Sequence, residues 1–215
     1  YSKNRLLTTI AYRINGKTTY AMEGSIFIAG AGVQWLRDRM KFFKKAPETE
    51  KIVESLKDNN NIYLVPAFTG LGAPYWDANA RGVLSGITRD TSPKEIVRAT
   101  IEAVAYQTYD LFEAMKHDGL RPKIVKVDGG MVMNNWFSQF LSDIVNVKVL
   151  RPRVQETTAL GAALMAGLQI GVYKSLKDIS KNWHLDKKFT PKMKNPLRNR
   201  LLKGWLVAIK KTLSN

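Results

Sequence analysis

The sequence contains no cysteine, which excludes disulfides, zinc–cysteine centres and thiol catalysis and suits a cytoplasmic protein. Only two histidines are present, His117 and His184, too few for a histidine-rich metal site and poor ground for a Ser-His-Asp triad. No apolar run approaches the roughly 20 residues that a bilayer-crossing helix needs. The stretch Ile26-Phe27-Ile28-Ala29-Gly30-Ala31-Gly32-Val33 is too short, and it is not preceded by the n-region that a secretory signal requires. Internal repeats and low-complexity tracts are also lacking. The first residue is Tyr1, not Met, and the chain opens directly in strand-like sequence. A piece of a longer protein is expected.

Acidic residues are scarce: 18 Asp and Glu face 34 Lys and Arg, for a net charge of +16. Such an excess is one mark of a nucleic-acid binder. Its distribution argues otherwise. Residues 181–215 carry ten Lys/Arg and one Asp, and the excess is largely lysine, without the interleaved aromatic residues of a base-stacking platform. A solvated basic face, or one opposite an acidic surface of another domain or subunit, is expected rather than a nucleic-acid partner. A basic nucleic-acid-binding module stays as the minor alternative.

Ordinary hydrophobic content (45%) and charged content (24%) over 215 residues mark a globular chain able to bury about 70% of its unfolded surface. Leu6 to Ile14 and Thr18 to Met22 are β-rich runs joined by Asn15-Gly16, a hairpin signal. Gly24-Ser25 leads into a helix-like segment reaching about Phe43, and a connector holding Pro47 precedes a short helix. Ile62 to Val65 reads as a buried strand. Residues 66–80 follow as a long ordered loop whose Phe68, Leu71, Tyr75 and Trp76 should not be left in water, and Gly82 to Ile87 is again strand-like. Ser92-Pro93-Lys94-Glu95 is a capping box with proline at the first helical position. The helix it opens runs to about His117, with Ile96, Ala99, Ala103, Gln107, Leu111 and Met115 on one face. Lys123 to Val127 is a strand; the next helix opens at Asn134-Asn135, and Val147 to Val149 is a strand. Thr157-Thr158 starts a helix whose Gly161, Ala162, Ala163, Ala166 and Gly167 make a smooth face suited to close packing, and Asn195-Pro196 opens an amphipathic one. This order predicts an α/β fold, a mixed sheet with helices on its faces.

Asp128-Gly129-Gly130 stands between a strand and a helix start. Paired glycines at that place let bare backbone approach a phosphate, although Asp-Gly-Gly is also a common turn. The free N–H groups at the following helix start would favour an anion.

The run Pro66-Ala67-Phe68-Thr69-Gly70-Leu71-Gly72-Ala73-Pro74-Tyr75-Trp76-Asp77 with Ala80-Arg81-Gly82 resembles the loop of glycerol kinases. Gly82-Val83-Leu84-Ser85-Gly86-Ile87, followed by Glu95-Ile96 and Ala99-Thr100-Ile101-Glu102, is similar to the second signature of the wider FGGY carbohydrate-kinase family. Val127-Asp128-Gly129-Gly130, Asn134-Asn135 and Thr158-Ala159-Leu160-Gly161-Ala162-Ala163 resemble that family's nucleotide-domain elements. The resemblance spans essentially all 215 residues. It implies the C-terminal, nucleotide-binding domain of a two-domain kinase with an actin-like, ribonuclease H-like ATPase fold, the N-terminal substrate domain lying outside this chain. Glycerol is the implied acceptor, met through that other domain, with another sugar or sugar acid such as xylulose as the alternative.

By the same resemblance Gly130 would meet the α-phosphate region of ATP or ADP through its backbone, and Asn134 would sit beside the adenosine. Gly30 and Gln34, one helical turn apart, would line the pocket from the opposite side. Plain structural readings stand beside these: Gly30 as a helix-packing glycine, Asn134 as a helix cap. Mg2+ would be held mainly through the phosphates and the other domain. The catalytic aspartate is expected there too, so no catalytic or metal-ligating residue is assigned here, and the isolated chain is expected to be inactive. The full-length protein is expected to be a homo-oligomer. Asp77 and Arg81 are candidates for pairing with each other. Asp90, Met131 and Met133 depart from residues common in the family, and the two methionines add bulk beside the phosphate turn.

Overall fold

The computed structural model describes residues 1–214. A helix 25 residues long forms its spine: α3, Pro93–His117, about 37 Å end to end at 1.5 Å per residue. Its start is locked by the expected capping box: Ser92 Oγ accepts from Lys94 N at 3.2 Å, and Glu95 Oε2 accepts from Ser92 N at 2.9 Å. Residues Val97 to Tyr106 are buried almost around the full circumference. The core therefore wraps this helix rather than lying along the one face that the periodicity indicated.

The strands form three small sheets. In the first, β1 (Leu7–Ile14) pairs antiparallel with β2 (Lys17–Glu23) through the Asn15-Gly16 turn, where φ of +50° and +77° matches the strand twist. In the second, β3 (Tyr63–Val65) pairs antiparallel with β4 (Val83–Ser85). The third is mixed, with order β5-β6-β7: β5 (Ile124–Lys126) runs parallel to β6 (Lys148–Pro152), and β7 (Leu185–Phe189) antiparallel to it. The remaining helices are α1 (Gly30–Asp38), α2 (Glu48–Glu54), α4 (Asn135–Val145), α5 (Thr157–Gln169), α6 (Leu176–Ser180) and α7 (Asn195–Thr212).

Two expectations about helices change. Residues 24–29 are not helical: the Ser25 carbonyl accepts from Ala73 N at 3.0 Å, so backbone that a helix would consume ties down the 66–80 loop instead. The small-residue face of α5 is not packed within this chain. Ala162, Ala163 and Ala166 are exposed, and only Gly167 is covered, by Tyr173.

The 66–80 loop is ordered by its own bridge, Leu71 N to Asp77 O at 2.8 Å and Asp77 N to Leu71 O at 3.0 Å. Trp76 is half in water, contrary to expectation, but its indole N–H donates to Arg5 O at 2.7 Å and anchors the loop. Asp77 and Arg81 do not pair. The Asp77 carboxylate accepts from Asn79 N, Ala80 N and Ser214, while Arg81 donates to the carbonyls of Ala78 and Ala80. Beneath the loop, the buried Asp110 of α3 accepts from the Trp205 indole of α7 at 2.8 Å. Trp205 stacks on Tyr106 with ring centres 5.3 Å apart, joining α3 to α7. Glu102, wholly buried on α3, accepts from Arg98 Nε at 2.7 Å and from the Tyr106 hydroxyl at 2.9 Å. Burial drives its pKa upward, against the pull of Arg98.

Candidate nucleotide-binding site

Strand β5 ends at Lys126, and the chain then turns sharply through Asp128, Gly129 and Gly130. Gly129 has φ +83° and ψ 175°, a region open essentially to glycine alone. A short 3-10 turn, Gly130–Met133, follows and was not visible as a separate element in the sequence. Three contacts hold this corner from behind. The Arg151 guanidinium donates to Val132 O at 2.8 Å, the Ser138 hydroxyl donates to the same carbonyl at 2.9 Å, and the Thr157 hydroxyl donates to Asp128. The turn is thus built into β6, α4 and α5.

In front of it lies a cavity of about 350 Å³. Helix α1 forms the opposite wall with Gly30, Val33, Gln34 and Arg37, a stripe at helical spacing. The start of α2, with Thr49 and Glu50, closes one side. All four residues singled out from the sequence, Gly30, Gln34, Gly130 and Asn134, line this one space. A wider concavity of about 560 Å³ beside Lys3, Tyr75 and His117 has no glycine in its lining.

The glycines bear on the plain structural reading of Gly30. A Cβ placed on Gly30 or on Gly130 would meet nothing within 4 Å. Neither residue is glycine because a neighbouring side chain presses on it, so the helix-packing explanation of Gly30 fails. What the missing side chains leave is room on the cavity side and accessible main chain. Asn134 is both things at once. Its Oδ1 caps α4 by accepting from Phe137 N at 2.8 Å, and it also lines the cavity.

The start of α4 is not free for an anion, as the sequence suggested. Glu50 Oε1 already accepts from Asn135 N at 2.7 Å and Trp136 N at 3.3 Å. A carboxylate of this chain fills the positive end of that helix. At the glycine corner the Gly129 N–H donates to Gln155 O at 3.4 Å, and the exposed Gly130 is the one that presents its main chain to the cavity. Glu50 and Thr49 carried no signal in the sequence, since their partners on α4 are 85 residues away. Arg37 was legible in principle, seven positions after Gly30. Its guanidinium makes two bonds to Asp38, at 2.7 and 2.9 Å, and that hydrogen-bonded pairing lowers the Asp38 pKa. Met131 and Met133 line the cavity beside the corner without closing it. Among the described residues no group of three or more His, Cys, Asp or Glu side chains is placed to hold a metal, and no helix is long and apolar enough to cross a membrane.

Comparison with known proteins shows what the chain and its fold are similar to. Residues 4–170 match the family described as the FGGY family of carbohydrate kinases, C-terminal domain. Glycerol kinase 1 of Pseudomonas aeruginosa is 56% identical over 213 residues, covering 99% of this chain and 43% of that protein. Glycerol kinase of Clostridium botulinum is 53% identical over 213 residues, again covering 43% of its length. The chain therefore spans less than half of the relatives it matches. Among solved structures, Plasmodium falciparum glycerol kinase with ADP superposes over 100% of this chain and 43% of its own, with TM-score 0.89 and 37% identity. Xylulose kinase from Lactobacillus acidophilus shares the fold, with TM-score 0.79 at 23% identity over 96% of this chain and 41% of its own.

Proposed function

We propose a function for a chain that belongs to the FGGY family of carbohydrate kinases: it holds ATP or ADP between α1 and the Gly129–Gly130 corner while the γ-phosphate passes to glycerol, giving glycerol 3-phosphate. The observation that carries this reading is the meeting of Gly30, Gln34, Gly130 and Asn134 around one cavity whose glycine positions lack any packing reason. Main-chain amides at the corner would meet the α-phosphate. The amides of Gln34 and Asn134 each offer donors and an acceptor to the nucleoside. Phosphoryl transfer asks a protein chiefly for positioning and charge stabilisation, with Mg2+ bridging the phosphates. The carboxylate in the cavity wall, Glu50, is engaged by the α4 amides, which suits an ion carried in on the nucleotide rather than one bound by this domain.

Glycerol as acceptor is supported by the Phe68–Asp77 loop and by relatives named glycerol kinases at 51–56% identity. The catalytic base and the glycerol site would come from a second domain, closing over this one to exclude water. A homo-oligomer is the corresponding proposal for the whole protein. The test is a coupled assay on the full-length protein with ATP and either glycerol or xylulose. ADP release that requires glycerol is the expected result. Turnover of xylulose and not of glycerol would refute the acceptor.

A further inference from the structure

The start of α2 has no part in the function proposed above, yet two of its side chains reach 85 residues along the chain to the nucleotide wall. Thr49 is buried, 3% exposed, and its hydroxyl donates to Ala46 O at 2.7 Å. That proton is spent, so Oγ1 faces the cavity side only as an acceptor. It accepts from Asn134 Nδ2 at 3.3 Å. Asn134 Oδ1 in turn must be the oxygen, because it accepts from the Phe137 N–H. Every donor and acceptor in the run Ala46–Thr49–Asn134–Phe137 is therefore fixed in direction. One N–H and one lone pair of the Asn134 amide remain, and their orientation is set from behind.

We propose that Thr49 is a positioning residue of the nucleotide site, acting through Asn134, and that Glu50 beside it sets which part of the ligand comes there. This rests on the nucleotide reading above. Glu50 occupies the α4 amides with its carboxylate, so a phosphate brought to that end of the cavity would meet a like charge. The ligand is thereby steered to place its phosphates at the Gly129–Gly130 corner and its uncharged nucleoside at Asn134. Without Thr49, Asn134 would still cap α4, but its amide plane would be held at one end only and could tilt about the side-chain torsion.

The test uses full-length protein and ADP as the probe, with steady-state kinetics alongside. Thr49→Val keeps the shape and removes the acceptor. It is expected to raise the ADP Kd and the KM for ATP about five- to tenfold, leaving kcat and the KM for glycerol within about twofold. Thr49→Ser, which restores the hydroxyl, should bind ADP within about twofold of wild type. In an Asn134→Ala background Thr49→Val should have no further effect on ADP, since the residue it acts through is gone. Should Thr49→Val not fold, Thr49→Ala carries the same expectations. Unchanged ADP affinity in Thr49→Val, or equal losses in Thr49→Val and Thr49→Ser, overturns the positioning role. Wild type that fails to bind ADP at all is a separate failure, that of the nucleotide reading itself.

Discussion

Gly130→Val is expected to weaken ADP binding about a hundredfold, roughly 2.7 kcal/mol, while leaving the melting temperature close to that of wild type. Both halves of that expectation come from the same observation. A Cβ at this position meets nothing within 4 Å, and Gly130 opens a 3-10 turn without a positive φ, so the fold has room for a side chain there. The added methyl groups would stand where the phosphate approaches the main chain. Gly129 is the contrasting case. At φ +83° any other residue strains the turn by about 1–3 kcal/mol, so its replacement mixes lost stability with lost binding. Titration calorimetry with ADP, paired with a thermal melt, separates the two. Equal ADP affinities for wild type and Gly130→Val would remove this corner from the site.

The second large effect is on stability and is set by pH. Burial pushes the Asp110 carboxyl from an ordinary 3.8 up to about 7, with bonds from the Trp205 indole and the Tyr75 hydroxyl pulling the other way and Glu113 adding to the rise. A group whose folded pKa lies above its unfolded value favours folding most when protonated. The contribution is complete below pH 3.8 and is lost as pH rises through about 7. Three units at 1.36 kcal/mol each set a ceiling of about 4 kcal/mol. The protein should therefore be less stable at pH 8 than at pH 5 by roughly 2–3 kcal/mol from this group. Asp110→Asn keeps an acceptor for Trp205 and removes this titration, so its urea-unfolding midpoint should fall clearly less than that of wild type over that window, the remaining slope coming from other groups such as the buried Glu102. A variant with the same pH slope as wild type would show that Asp110 does not titrate there. The loss would be felt by the 66–80 loop, which rests on this carboxyl through Tyr75.

Elements whose cause is local were legible in the sequence. The Ser92–Glu95 capping box, the Asn15-Gly16 turn and the Asn134 cap each place donor and acceptor within a few residues, so the chain announces them. The Asp128-Gly129-Gly130 turn was legible from its place between a strand and a helix start, whereas Gly30, Gln34 and Asn134 came as candidates from the family resemblance; the structure brings them to the same cavity as Gly130. What stayed hidden depends on distant partners. Residues 24–29 carry helix-compatible side chains, yet their backbone is spent on Ala73, about fifty positions away. The smooth face of α5 signals close packing, but the sequence does not say against what, and among the described residues Ala162, Ala163 and Ala166 stay exposed. Glu50 reads as an ordinary charge on a short helix. Only the folded chain shows it plugging the α4 N-terminus, which leaves the glycine corner as the proposed phosphate contact.

The most direct test is a crystal structure of the full-length protein with ADP. The account predicts the nucleotide between α1 and the 129–134 turn, its α-phosphate against the main chain of Gly130 and its nucleoside within reach of Gln34 and Asn134. ADP bound elsewhere, for example in the hollow between α3, α4 and α7 near Arg121 and Arg198, or phosphates seated on the α4 N-terminus in place of Glu50, would contradict it.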